Sequence, residues 1–169
     1  DRDVLNAYMN AYLAELTGKD SALKCANSLW IDSRLDVKTS FLQKNADFYS
    51  AQAYKADFTR KNTVNEINSW VNKNTNGMIK KLVDEFDPLT VMVLMNALCL
   101  EAEWDDPYTD NCVREGTFKN AKGNLVKAEY MYSQETEYIE TENATGFVKY
   151  YKGGKFAFVA LLPNEGTNI

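Results

Sequence analysis

Histidine is absent from this sequence of 169 residues, and cysteine is sparse. Without an imidazole, the chain contains no Ser-His-Asp triad, no histidine general base and no histidine metal ligand. The three cysteines, Cys25, Cys99 and Cys112, form no C-x-x-C pair, so the closely spaced ligands of a zinc site are missing as well. We therefore expect no metal or other cofactor, and we expect Cys25 and Cys99 to be free, buried thiols.

Long apolar runs and clustered positive charge are also lacking. No apolar run approaches the ~20 residues that a membrane-spanning helix needs. The formal net charge is −5 and the lysines and arginines are scattered, which argues against a nucleic acid or an anionic membrane surface as partner. The chain begins at Asp1 without a signal peptide and ends just after a Pro-Asn-Glu-Gly turn at 163–166. These ends predict that residues 1–169 are a segment of a longer protein.

Other catalytic patterns are weak. An acid and base pair can be imagined among the many carboxylates, but most of them lie at predicted turns, where a solvated side chain is the default. The serines have no histidine to activate them, and Gly153-Gly154 lacks the spacing of a phosphate-binding loop. The sequence therefore favours a protein that is not an enzyme. The carboxylates concerned are Asp84, Glu85, Asp87, Glu101, Glu103, Asp105, Asp106 and Asp110.

The most informative stretch that is present runs from Thr90 to Trp104. It is apolar from Val91 to Leu100 with one interruption, Asn96. Both alternating faces are apolar, which predicts a central β-strand buried on both faces; a buried helix is the alternative. A buried amide without a partner costs on the order of 1 to 3 kcal/mol, so Asn96 must be hydrogen-bonded. From the residues alone it is either a satisfied core side chain or a functional one.

Three amphipathic helices are predicted ahead of this stretch. The first ends near Gly18, Asp36 is a candidate N-cap for the second, and Thr63 opens a capping box for the third. Asn76 ends the third helix, and helical spacing resumes for a turn or two at 78–83. The apolar faces of the three helices are Val4, Leu5, Tyr8, Tyr12, Leu13 and Leu16; Val37, Phe41, Leu42, Phe48 and Tyr49; and Val64, Ile67, Trp70 and Val71.

The predicted strands fall into two groups. Strands at 23–31 and 52–58 alternate with the helices, whereas short strands follow one another after Trp104. Helices interleaved with strands, followed by antiparallel strands, indicate an α+β protein. The later strands are predicted at 113–119, 125–132, 137–141, 145–151 and 155–162.

Several of these stretches, taken together, resemble the serpin family. Asn96-Ala97-Leu98, followed by Trp104 and Pro107-Tyr108, resembles the signature Asn-Ala-(Leu/Ile)-Tyr-Phe-Lys-Gly-x-Trp-x-x-Pro-Phe. Residues 67–79 resemble the helix and turn Ile-Asn-x-Trp-Val…Thr-x-Gly-Lys-Ile, and residues 151–163 resemble the hairpin Tyr-Lys-Gly…Leu-Leu-Pro. The matches keep the order and spacing of the family over nearly the whole chain.

The chain also departs from the family pattern near the signature. Cys99-Leu100 stands in place of an aromatic pair, and Glu101-Ala102-Glu103 stands in place of Lys-Gly-x. Tyr150 occupies the position where the hairpin usually carries proline. None of these changes touches Asn96 or Trp104.

The resemblance implies a serpin-like α+β fold. Residues 1–169 would be the central segment of a single serpin domain, namely the central part of a large mixed β-sheet with packed helices, plus a smaller antiparallel β region. The strand at 23–31 and the stretch from Val91 would be the second and third strands of the large sheet. The N-terminal helices, the reactive-centre loop with its scissile bond, and the C-terminal strands would lie outside this chain.

The resemblance also implies an inhibitor of serine-type endopeptidases that works as a suicide substrate. Cleavage of the reactive loop lets the loop insert into the large sheet, with Asn96 and Trp104 as conformational-switch residues. The implied partners are a target serine or cysteine protease and the remaining segments of the same serpin. A non-inhibitory serpin that acts as a binding or carrier scaffold is the alternative. Secretion is the expected location, with the cytoplasm as the alternative.

Overall fold

The computed structural model describes residues 1–18 and 21–167. They form two compact units, one from Asp1 to Glu101 and one that begins at Ala102. No helix within the described residues is both long and apolar enough to cross a membrane.

The first unit alternates helices and strands, as the sequence predicts. Its three strands form a mixed sheet in the order β2-β1-β3, in which β1 is parallel to β2 and antiparallel to β3. Among the described residues, β3 therefore pairs with β1 on one edge only. The elements are α1 (Arg2–Leu16), β1 (Leu23–Asp32), α2 (Thr39–Tyr49), β2 (Gln52–Ala56), α3 (Lys61–Asn74) and β3 (Met92–Leu100).

Helix α3 covers one face of this sheet and supplies much of the core. Ile67 is completely buried, and Trp70 and Val71 lie beside it in the same cluster. The sheet contributes Trp30, whose ring stacks on Tyr54 with centroids 4.4 Å apart. Burying one such large side chain is worth about 1.5 to 3 kcal/mol, so α3 is held to the sheet by its apolar face.

The opposite face of β3 is not covered in this chain, so the prediction that both faces are buried is wrong for the described residues. Ala97 and Cys99 are buried on the α3 side, whereas Leu94 and Leu98 on the other side are 65% and 59% exposed. The apolar face of α1 is uncovered as well, since Tyr8 is 65% exposed. Exposed apolar surface of this kind is typical of a face that contacts another polypeptide, a membrane or a ligand.

The predicted helix caps are also wrong. Helix α2 begins after Lys38 and α3 after Arg60, and neither residue makes a side-chain cap. Thr63 lies inside the first turn of α3, where its hydroxyl donates to the backbone oxygen of Asp57 at 2.7 Å. Because Thr63 is buried, its hydroxyl needs a hydrogen-bond partner, and it finds one in the segment that precedes α3. Thr63 therefore does not act as the N-cap of the helix.

Residues 78–83 form bends and irregular backbone instead of the predicted helical turns. The side chain of Asn68 holds them: its oxygen accepts from the backbone nitrogens of Leu82 and Val83 at 2.8 and 3.0 Å. Its amide nitrogen donates to the backbone oxygen of Val83 at 2.8 Å. These bonds use backbone groups that a helix would pair internally, so a contact distant in sequence overrides the local helical spacing.

The second unit consists of two antiparallel sheets, in agreement with the predicted run of short strands. One sheet pairs β4 with β5, and the other has the order β6-β7-β8. Gly153 and Gly154 connect β7 to β8 with φ of 84° and 68°, a conformation that glycine adopts without strain. The strands are β4 (Val113–Lys119), β5 (Leu125–Met131), β6 (Glu137–Glu140), β7 (Ala144–Tyr150) and β8 (Ala157–Pro163).

Candidate functional site

Asn96 lies in the middle of β3, directly opposite Asn27 of β1 in the antiparallel register. Its amide nitrogen donates to the side-chain oxygen of Asn27 at 2.7 Å and lies 3.4 Å from the sulfur of Cys25. Asn96 is therefore hydrogen-bonded, as expected. It is exposed and not buried, because it belongs to the face of β3 that this chain leaves uncovered.

Asn27 extends this contact to the helices of the first unit. Its amide nitrogen donates to the backbone oxygen of Tyr49, the last residue of α2, at 2.8 Å. The hydroxyl of Tyr49 donates in turn to the side-chain oxygen of Asn6 in α1, also at 2.8 Å. Asn27 and Asn96 line a cavity of about 230 Å³ beside the end of α2. The polar contact of β3 thus continues through β1 and α2 to α1.

Sequence reasoning singled out Asn96 but not Asn27. The available signal was a second amide near the middle of a predicted strand, at the centre of the run Leu23–Ile31. That signal acquires meaning only with the strand register, which sets Asn27 against Asn96. A single sequence does not supply a register between strands so far apart along the chain.

The cysteines agree in part with expectation. All three are free, and Cys99 is buried. Cys25 is only half-buried, because it lies on the same side of the sheet as Asn27. Within residues 1–18 and 21–167, no group of three or more acidic, cysteine or histidine side chains could hold a metal ion.

Trp104 lies in the second unit, beyond the end of β3 at Leu100. Its ring stacks on Tyr151 with centroids 4.3 Å apart and meets Phe158 edge-on at 5.9 Å. Backbone bonds fix the same stretch: the nitrogen of Asp105 donates to Tyr150 at 3.1 Å, and that of Lys152 donates to Glu103 at 2.8 Å. The residues around Trp104 are thus fastened to the hairpin between β7 and β8.

The Trp104 ring also lies near a buried cation that sequence reasoning missed. The amine of Lys149 is 5.7 Å from the centre of the Trp104 ring and 4.7 Å from that of Tyr108. Lys149 is only 3% exposed, and its amine donates to Glu135 at 2.8 Å. The only signal was a lysine two residues after Phe147 in a predicted strand, which by itself is usually an exposed side chain.

A second buried charge lies at the end of β1, apart from these contacts. Arg34 binds the carboxylate of Asp32 through two nitrogens, at 2.7 and 2.9 Å, and its backbone nitrogen adds a third bond. These hydrogen bonds lower the pKa of Asp32 to about 2. The pair closes the turn after β1, so its role is structural.

Comparisons with known proteins agree with this architecture. A family model described as Serpin (serine protease inhibitor) matches residues 2–169. Serpin-ZX of Arabidopsis thaliana is 34% identical over 146 residues, which are 81% of this chain and 37% of that protein. Thyroxine-binding globulin of Sus scrofa is 32% identical over 154 residues, 88% of this chain and 37% of its own length. The native structure of the thermophilic serpin tengpin has a TM-score of 0.88 at 41% identity, over 100% of this chain and 44% of that one.

The chain belongs to the serpin family. The family and the α+β serpin fold that the sequence predicts are both confirmed. The chain spans 37% of each of the two relatives and 44% of the tengpin chain, so it corresponds to less than half of each. Its position as the central segment of one serpin domain, and the switch roles of Asn96 and Trp104, stay predictions.

Proposed function

We propose that the protein is an inhibitor of serine-type endopeptidases that acts by inserting its cleaved reactive loop into the sheet that contains β3. The observation that carries this proposal is the match to the serpin family over residues 2–169, combined with a β3 that pairs with β1 on one edge only among the described residues. A strand edge exposes a row of backbone donors and acceptors, and an added strand satisfies them along its whole length.

Asn96 and Asn27 would act as the switch in the middle of this sheet. Their mutual hydrogen bond of 2.7 Å crosses between β3 and β1, and Asn27 also holds the end of α2. Side-chain amides can both donate and accept, so they can exchange partners when neighbouring strands move apart. In this proposal the pair stabilises the uninserted sheet and forms new bonds after insertion.

Trp104 would mark the place where insertion begins. Its support is the stack on Tyr151 and the backbone bonds to the hairpin at Tyr150 and Lys152, which fix the chain shortly after β3. A large aromatic side chain held on two sides keeps this segment in one position. In this proposal the reactive loop enters the sheet beside β3 when Trp104 moves from this position.

The chain alone would inhibit nothing, because the reactive loop lies outside it in this proposal. The remaining segments of the serpin would cover the apolar surface that is uncovered here, such as Leu94 on β3 and Leu162 on β8, which are 65% and 71% exposed. The target would be a serine or cysteine protease, and the protein itself would not be an enzyme.

Incubation of the full-length protein with a panel of serine and cysteine proteases tests the proposal. The inhibitory mechanism predicts a covalent complex that survives denaturing electrophoresis. Digestion of the protein by every protease, without any complex and without loss of protease activity, would contradict it. Proteases inactivated at their nucleophile are the control, since they can bind but cannot become covalently trapped.

The second candidate is a non-inhibitory serpin that acts as a carrier. It is favoured by the similarity to thyroxine-binding globulin, which is 32% identical over 88% of this chain. The two candidates differ in the reactive-loop hinge, where small residues permit insertion and bulky or charged residues oppose it.

We also propose that the protein is secreted. Resemblance to the family is the support, and detection in the extracellular fraction of its source is the test.

A further inference from the structure

The second unit contains a lysine that is almost completely withdrawn from water. The side chain of Lys149 on β7 is 3% exposed, and its partner Glu135 is 17% exposed. The Lys149 amine donates to the Glu135 carboxylate at 2.8 Å. Lysine and glutamate are seldom buried to this extent unless they are paired.

The pair belongs to a closed ring of contacts that also includes Ser133 and Tyr108. The hydroxyl of Ser133 donates to the same Glu135 oxygen at 2.6 Å and lies 3.2 Å from the hydroxyl of Tyr108. The Tyr108 ring faces the Lys149 amine at 4.7 Å, which closes the ring of four residues. The same amine lies 5.7 Å from the Trp104 ring centre, within the range of a cation–π attraction.

The electrostatics keep both groups charged near neutral pH. The hydrogen bond that the Lys149 amine donates to Glu135 raises the pKa of Lys149 and lowers the pKa of Glu135. A buried pair of this kind adds little net stability, because desolvation of the charges offsets their attraction. Its main consequence is geometric, since it fixes the cation at one point between the two aromatic rings.

We propose that Lys149, held by Glu135, is a positioning residue that fixes Trp104 in the uninserted state and slows spontaneous insertion of the reactive loop. The regulatory part rests on the proposed function, because it assumes that insertion begins at Trp104. The positional part rests on the contacts alone. Loss of the cation leaves the Trp104 ring with its contacts to Tyr151 and Phe158 and removes the charge that faces it.

The test uses the full-length protein and four variants. Lys149→Met removes the charge at similar volume, Lys149→Arg keeps a cation, and the double variant Lys149→Met, Glu135→Gln leaves no unpaired buried carboxylate. The control is Lys127→Met, which removes an exposed lysine of β5 in the same unit. Each variant is also made with Trp104→Phe, so that the Trp104 contribution to fluorescence is the difference between the two proteins and the other tryptophans cancel.

Two quantities are measured: quenching of the Trp104 contribution by acrylamide, and the half-life of inhibitory activity on incubation without protease. Lys149→Met and the double variant should increase Trp104 quenching and shorten the half-life by about two- to fivefold, the range that a cation–π contact of moderate strength supports. Lys149→Arg should restore most of both quantities, and Lys127→Met should change neither.

The proposal is overturned if the double variant folds and matches Lys127→Met in both quantities. It is overturned also if Lys149→Met is impaired while the double variant is normal, since the unpaired Glu135 carboxylate, and not the lost cation, would then be the cause. Should Lys149→Met fail to fold, the double variant decides. If the full-length protein inhibits no protease, the proposed function fails, while the quenching comparison still decides whether Lys149 positions Trp104.

Discussion

At the scale of single residues, the bond between Asn96 and Asn27 is the contact on which the proposed switch depends. The Asn96 amide nitrogen donates to the Asn27 side-chain oxygen at 2.7 Å, and the Asn27 amide nitrogen donates to the backbone oxygen of Tyr49. A typical hydrogen bond contributes about 0.5 to 1.5 kcal/mol, which is enough to shift a metastable equilibrium severalfold.

Asn96→Ala should therefore lower the unfolding temperature of the native full-length protein and increase its polymerisation on heating. The change leaves the oxygen of Asn27 without its donor, at a cost of roughly 1 kcal/mol. A cycle with Asn27→Ala and the double variant is the control. Since both single changes remove the same bond, the double variant should lose less than the sum. Two results would contradict the switch role of Asn96: additive effects of the two single changes in the double variant, or an unchanged unfolding temperature and unchanged polymerisation in Asn96→Ala.

Asp32 gives a second prediction at this scale, through its dependence on pH. The Arg34 hydrogen bonds lower its pKa from 3.8 to about 2, so its carboxylate stabilises the folded state above pH 3.8. That contribution is lost as the pH falls through about 2. Asp32→Asn should lower the melting temperature at pH 7, and the difference from the wild type should narrow at acidic pH.

The exposed carboxylate Asp84 provides a matched control for this measurement, because its side chain is 79% exposed and forms its ion pair with the equally local Lys81, three residues earlier. Asp84→Asn should leave the melting temperature nearly unchanged at every pH. A constant difference between Asp32→Asn and the wild type from neutral pH to about pH 2 would contradict the role of the ionised carboxylate.

At the scale of elements, the Asn68 latch, that is, the side-chain contact between Asn68 of α3 and the segment 78–83, explains why the helical spacing of that segment does not produce helical turns. The Asn68 side chain makes three hydrogen bonds to the backbone of Leu82 and Val83. This segment leads from α3 towards β3, so the latch connects the helix to the strand that is proposed to accept the loop.

Asn68→Ala should release this segment while leaving α3 in place. Hydrogen exchange of the amides at Leu82 and Val83 should accelerate, because both lose their acceptor. The free energy of unfolding of the native protein should fall by on the order of 1 to 3 kcal/mol. Asn65→Ala, on the exposed face of the same helix, should change neither. Unchanged exchange at Leu82 and Val83 in Asn68→Ala would show that other contacts hold the segment.

Periodicity predicted the elements well but not their ends. The apolar face of α3 is buried as its spacing indicates, because an apolar stripe along one side of a helix packs against the core. This face consists of Val64, Ile67, Trp70 and Val71. Thr63 was a plausible cap by spacing, yet its hydroxyl bonds Asp57 in the preceding turn. Caps and latches depend on contacts between segments, which single-sequence patterns do not contain.

The candidate site was predictable to a similar degree. Asn96 was visible as the one polar residue in an apolar run, and Trp104 through its motif. Their partners were not visible, because Asn27 and Lys149 lie far from them in sequence and meet them only through strand pairing and packing. The exposure of Asn96 and Leu94 could not be predicted either, since it depends on which polypeptide covers that face.

At the scale of the whole molecule, the chain contributes one side of a proposed switch. It supplies β3 with its amide pair, and α3 with its latch, while the inserting loop is proposed to come from another part of the protein. The exposed apolar surfaces on α1, β3 and β8 agree with such a division, because another segment of the protein could bury them. The central claim is that a new strand joins the sheet that contains β3 after loop cleavage.

Hydrogen exchange of the segment Met92–Leu100 in the full-length protein, measured before and after cleavage of the reactive loop, tests this claim most directly. Strand addition predicts markedly slower exchange in β3 after cleavage, because the new strand would pair with the edge of β3 that has no partner among the described residues. Equal or faster exchange in this segment after cleavage would contradict insertion beside β3.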